Sequence, residues 1–130
     1  MLTTIRIAIV DDHADFRKAL RSQLERDKTL DVIGEADNGL DAITLVKDFR
    51  PEVVLMDLNL PVADGFDATS VITEEYPATK VIVLSMHTLD DVRERALEAG
   101  ASNFLSKDCS PKGIVTAIRN CSQLLRAQSV

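Results

Sequence analysis

The chain has 130 residues, 45% of them hydrophobic and 28% charged, the balance of one soluble globular domain able to bury its own core. Its 21 acidic against 15 basic side chains give a formal charge of -6, which argues against a nucleic-acid surface of clustered Lys and Arg. No window reaches the roughly 18 uninterrupted apolar residues of a membrane helix, and the opening MLTTIRIAIVDDH runs into acids rather than a cleavage site, so no membrane contact and a cytoplasmic location are expected.

From the N-terminus, Ile5 to Val10 is a strand-length aliphatic run, followed by Phe16, Leu20 and Leu24 at helical spacing. Asp31 to Glu35 reads as a second strand. Leu40, Ile43, Val46 and Phe49 then predict the buried stripe of a second helix that stops at Arg50, before Pro51. Val53 to Met56 is the third strand, with a weaker helix over about Asp64 to Glu75. Val81 to Leu84 is the fourth, followed by a helix over about Asp90 to Ala99 with Gly100 as its C-terminal stop. Asn103 to Leu105 is the fifth. The last helix starts at Ser110-Pro111 and buries Ile114, Ala117, Ile118, Cys121 and Leu125. Continuous apolar runs alternating five times with helices predict a parallel sheet covered on both faces, an α/β fold in a single domain over residues 1–130. Cys109 and Cys121 match no metal spacing and read as reduced structural thiols.

Four of the apolar runs end in an isolated reactive group: Asp11-Asp12, Asp57, Ser85 and Lys107. Parallel strands deliver all of these to one carboxyl edge, where open α/β sheets place their ligands. Three carboxylates, a hydroxyl and an ammonium suit phosphoryl transfer onto a carboxylate with a divalent cation. Two adjacent aspartates repel unless a cation lies between them, and Mg²⁺ prefers such oxygen ligands, although Asp near a helix start also serves as a cap. Asp57 ends the apolar run VVLMD, where an unpaired charge is costly, so it is expected at an exposed strand tip, neutralised by the cation and positioned to attack phosphorus. The Asn59 backbone carbonyl can join the metal, while Pro61 and Gly65 turn the chain into the next helix. The Ser85 hydroxyl and Lys107 ammonium suit phosphoryl oxygens; standing alone they would read as a turn serine and a surface lysine. His13 and His87 have no second His or Cys at ligand spacing and are assigned no role, and Phe104 reads as a core aromatic.

The DD pair at 11 and 12, the D-x-N-x-P-x-x-x-G run from Asp57 to Gly65, Ser85 and the ASNFLSKD stretch from Ala101 together resemble the receiver domain of bacterial two-component response regulators. The resemblance covers essentially the whole chain. IVDDHADFRKALRSQL, EADNGLDAI and Lys107-Asp108 look most like the NarL/FixJ branch, whose full-length members carry a C-terminal LuxR-type helix-turn-helix. The resemblance implies a flavodoxin-like fold of strand order 2-1-3-4-5 and a phosphoacceptor Asp57, charged by a sensor histidine kinase or phosphotransfer protein. It further implies Mg²⁺ held by Asp11, Asp12, Asp57 and the Asn59 carbonyl, and phosphoryl oxygens met by Ser85 and Lys107. A switch would follow in which Phe104 turns inward as the Ser85 hydroxyl moves, altering the surface of the fourth helix, fifth strand and fifth helix. Such a domain takes part in its own phosphorylation and dephosphorylation without being a turnover enzyme. It would reach DNA only through a further domain, and a phosphorylation-dependent homodimer stays open. Many receivers carry Thr at Ser85, Tyr at Phe104 and Pro at Asp108, so the details of switching are where this chain departs from the pattern.

Three other functions compete. A stand-alone receiver would act by protein–protein contact alone. A phosphohydrolase with an aspartyl nucleophile usually shows D-x-D-x-T, but Asn59 stands where its acid-base carboxylate belongs. A flavin module needs phosphate donors after the first strand, where Asp11-Asp12 would repel them.

Overall fold

The computed structural model describes residues 4–60, 64–87 and 89–128, with side chains through residue 122. Five strands, β1 (Ile5–Val10), β2 (Leu30–Ala36), β3 (Val53–Asp57), β4 (Lys80–Ser85) and β5 (Asn103–Ser106), alternate with α1 (Ala14–Glu25), α2 (Gly39–Phe49), α3 (Gly65–Glu75), α4 (Asp90–Glu98) and α5 (Pro111–Gln128). The strands form one sheet of order β2-β1-β3-β4-β5, and every pairing is parallel. This is the doubly wound flavodoxin-like topology expected from the sequence. The order in which strands are added reverses between β1 and β3, the switch point beside which such sheets bind ligands.

Period-two alternation divides the core in two. Ala8, Val10, Val54, Met56, Val81 and Val83 face α2, α3 and α4 through Ala42, Leu45, Ala68, Ile72 and Ala96. Ile7, Ile9, Val53, Leu55, Ile82 and Leu84 face α1 and α5 through Leu20, Leu24, Ile114, Ala117 and Ile118. Both side-chain sets are apolar because each face is covered by helices, which right-handed crossovers of opposite direction place on the two sides.

Two sequence expectations change. The second helix buries Ala42, Leu45 and Val46, whereas Leu40 and Phe49 are more than half exposed. It carries more apolar residues than one face can cover, and small Ala42 selects the face that approaches the sheet closely. The strands also run into their polar ends: Asp57 pairs with Leu84 and Ser85 with Ser106, because ladder hydrogen bonds use only the backbone and continue past a polar side chain. Pro61 and the Leu125 side chain lie outside the described residues.

Gly65 opens α3 directly against the end of β3, and a Cβ built there would stand 2.2 Å from the Asp57 carbonyl oxygen and 2.6 Å from the Leu58 Cα. Both obstacles are backbone, so neither can rotate away. Gly65→Ala is expected to destabilise the domain by roughly 1–3 kcal/mol, the range for overpacking, read as a lower denaturant midpoint at unchanged m-value; an unchanged midpoint would contradict the contact.

Candidate functional site

The strand ends bring Asp11, Asp57, Ser85 and Lys107 together as the sequence requires. Asp11 follows β1 and is 2% exposed. Its Oδ1 accepts a hydrogen bond from the His13 backbone N–H at 2.8 Å, and its Oδ2 pairs with Lys107 Nζ at 2.7 Å. The same ammonium lies 3.4 Å from Asp57 Oδ2 and 4.7 Å from the centre of the Phe16 ring. Lys107 is thus a buried bridging cation, its side chain only 5% exposed, instead of a surface lysine. Its backbone N–H donates to the Ser85 carbonyl, which fastens the end of β5 to that of β4.

Asp57 corrects the expectation of an exposed tip: it is buried within β3. Its Oδ1 accepts a long hydrogen bond from the Asn59 N–H, at 3.4 Å, while Oδ2 has no hydrogen-bond partner. Burial pushes the Asp57 carboxyl above the ordinary carboxylate range, the Asp11 charge pushes it further, and Lys107 only partly offsets them. Asp12 is more open, with its side chain 37% exposed. Three carboxylates against one ammonium leave an excess of two negative charges, and Asp57 Oδ2, which makes no hydrogen bond and has the ammonium only at 3.4 Å, is the atom a cation would satisfy. An all-oxygen donor set from Asp11, Asp12 and Asp57 suits a hard divalent ion.

Ser85 is buried, and its Oγ accepts from the His87 backbone N–H at 3.0 Å, leaving its own proton to donate. Asn59 is exposed beside Asp57. Phe104 is buried in the core on the α4 side with Val83, Ala96 and Ala101. An open pocket of about 570 Å³ leads to the cluster, lined by His13, Ala14, Asp15, Phe16, Met86 and Lys107. The helix-cap alternative for the aspartate pair does not describe this loop, since His13 is the N-cap of α1 and its side chain makes no capping bond.

Two nearby residues were missed by sequence reasoning. His13 places Nδ1 3.0 Å from Asp11 Oδ1, 3.1 Å from Asp12 Oδ1 and 3.9 Å from Asp57 Oδ2. Its adjacency to Asp12 was the available signal. Arg17 donates to the Asp11 carbonyl and pairs with Glu35 at 2.8 Å, holding the acidic loop to the end of β2; nothing in the spacing of Arg17 and Glu35 announces that pairing.

A doubly wound sheet with aspartates, a lysine and a serine gathered at its carboxyl edge defines a signalling domain of the receiver class. The chain belongs to the response regulator receiver domain family, which it matches over residues 7–119, and within it to the NarL/LuxR branch. It is 34% identical to the transcriptional regulatory protein DegU of Brevibacillus brevis, over 92% of this chain and 50% of that protein. It is 40% identical to the transcriptional regulatory protein LnrK of Bacillus subtilis, over 88% and 52%. The signal receiver domain of the putative response regulator NarL from Mycobacterium tuberculosis superposes with a TM-score of 0.89 at 32% identity, covering 93% of this chain and 98% of that one. The chain spans about half the length of the curated relatives it matches.

Because the native Asp57 pKa is raised, the folded state holds that proton to higher pH than the unfolded chain does. The penalty on the native state is therefore full above the raised value and fades as pH falls toward the unfolded one. In chelator-treated buffer at neutral pH, Asp57→Asn is expected to raise the unfolding temperature by several degrees, on the order of 1 kcal/mol. That advantage shrinks at mildly acidic pH. Thermal melts at both pH values check it, and a parent protein more stable than the variant at neutral pH would contradict the assignment.

Proposed function

We propose that Asp57 is the phosphoacceptor of a two-component response regulator, charged by a sensor histidine kinase or a phosphotransfer protein in the cytoplasm. The observation that carries this reading is the buried Asp57 carboxylate, its Oδ2 facing a Lys107 ammonium that it shares with Asp11 and that lines the open pocket. A desolvated carboxylate lacks the hydration that blunts nucleophiles in water, which favours attack. An Asp57 oxygen bonds to phosphorus, the phosphorus–nitrogen bond to the donor histidine breaks, and the imidazole departs with a proton. Asp11, Asp12, Asp57 and the Asn59 carbonyl would hold Mg²⁺, which when bound supplies charge neutralisation between carboxylate and phosphoryl oxygens.

Lys107 and Ser85 then take the transferred group. The Lys107 ammonium, already between Asp11 and Asp57, shifts from carboxylate to phosphoryl oxygen with little movement, and the Ser85 hydroxyl donates its free proton. Phosphorylation adds about -1.5 to -2 charge, and both groups lie at the ends of β4 and β5. Their displacement is transmitted to Phe104 in β5 and to the surface formed by α4, β5 and α5. The half-length coverage of relatives named transcriptional regulatory proteins supports an output through a C-terminal LuxR-type DNA-binding domain beyond residue 130. The complete reading frame tests that domain: roughly 60 or more further residues with basic helices are expected.

With Mg²⁺ and acetyl phosphate, intact mass should show one phosphoryl group per chain, and none on Asp57→Ala; equal labelling of the variant would remove Asp57 from its role. Lys107→Ala should still accept the group yet lose phosphorylation-dependent association, measured by light scattering or partner binding. Normal association in that variant would contradict the coupling.

A further inference from the structure

Asp11, Asp12 and Asp57 are held to very different degrees. Asp57 lies in the β3 ladder, paired with Leu84, and the Asp11 carboxylate is buried against Lys107. Asp12 has neither support: its side chain is 37% exposed and meets His13, whose ring is 65% exposed. The backbone must therefore place it. Because a peptide unit is planar, fixing the carbonyl of one residue fixes the direction in which the next residue leaves. The Asp11 N–H donates to the Ala36 carbonyl at 3.1 Å, at the end of β2. The Asp11 carbonyl, one peptide unit further on, accepts from Arg17 Nη1. Both peptide units flanking Asp11 are thus anchored, and the second of them carries Asp12.

Arg17 is itself oriented from the sheet. Its Nε donates to Glu35 Oε1 at 2.8 Å, and Arg21 meets the other Glu35 oxygen. Glu35 pairs with Ile9 in the β1–β2 ladder, and its side chain and that of Arg17 are largely shielded. The backbone N–H of Arg17 also donates to the His13 carbonyl at 3.0 Å, so one residue closes the loop from both main chain and side chain. Resting on the carboxylate-site reading above, we propose that Arg17 is a positioning residue for Asp12: held by Glu35, it fixes the Asp11–Asp12 peptide and so presents the Asp12 carboxylate to Mg²⁺. Arg17 touches neither the ion nor the phosphoryl group. It orders the loop before the ion arrives, which lowers the cost of binding, and it leaves the attack by Asp57 unaffected once the site is filled.

The test titrates the whole chain, after chelator treatment, with Mg²⁺ by calorimetry, and follows the rate of Asp57 labelling by acetyl phosphate against Mg²⁺ concentration. Arg17→Ala is expected to weaken Mg²⁺ by about tenfold, the lower end of what supporting partners of metal ligands cost, and to raise the half-saturating Mg²⁺ concentration by the same factor. Its labelling rate at saturating Mg²⁺ should match that of the parent, the signature of lost binding with intact chemistry. In an Asp12→Ala background, Arg17→Ala should cost nothing further, because a residue that acts through Asp12 has nothing left to position. A lower rate at saturating Mg²⁺, or losses that multiply in the double variant, would make Arg17 a general support of the fold and overturn the proposal. If Arg17→Ala does not fold, Arg17→Lys keeps the aliphatic stem, but its single ammonium lacks the fork that serves Glu35 and the Asp11 carbonyl together. A smaller loss of Mg²⁺ affinity is then expected, and unchanged affinity overturns the proposal. A parent chain that takes up no Mg²⁺ overturns the underlying reading as well, whereas a parent that binds and is labelled beside an Arg17→Ala variant identical to it overturns this proposal alone.

Discussion

The Lys107 ammonium, shared between Asp11 and Asp57 and sealed by the Phe16 ring, is the interaction on which the edge of this domain depends. Without it, two carboxylates from neighbouring strands would face each other out of water, an arrangement that burial and like charge both oppose. One lysine spans three strand ends, from β1 and β3 to the residue that follows β5. It does not fully compensate them, since it stands closer to Asp11, at 2.7 Å, than to Asp57, at 3.4 Å, and the Asp57 pKa stays raised. Incomplete neutralisation is what the proposed cation and phosphoryl group would relieve.

The surroundings hold that tension in place with rigid parts. Ladder hydrogen bonds run through Asp57 and Ser85, so both side chains are fixed by backbone registers set deep in the sheet. Gly65 lets α3 begin against the Asp57 carbonyl, and Arg17 ties the Asp11 carbonyl to Glu35 at the end of β2. A site carried on strands and helix starts in this way keeps its geometry when one charge changes.

His13 introduces an asymmetry into an otherwise acidic pocket. It is mostly exposed, yet its Nδ1 reaches all three carboxylates. An exposed side chain beside buried ones can respond to the solvent without altering the core.

The sequence by itself determined the five-fold alternation, the parallel sheet and the identity of the groups at its edge, because hydrophobic period and residue chemistry are local properties. It also carried the family, since Asp11-Asp12, the Asp57 to Gly65 run, Ser85 and Lys107 are fixed points whatever surrounds them. Tertiary structure decided the rest. Whether Asp57 lies exposed or buried depends on a lysine 50 residues later. Which face of α2 turns inward depends on how closely Ala42 can approach the sheet, and whether His13 stands idle or faces the acids depends on the path of one loop. These are matters of distance between residues far apart in the chain or separated by a bend, which periodicity and motif spacing do not encode.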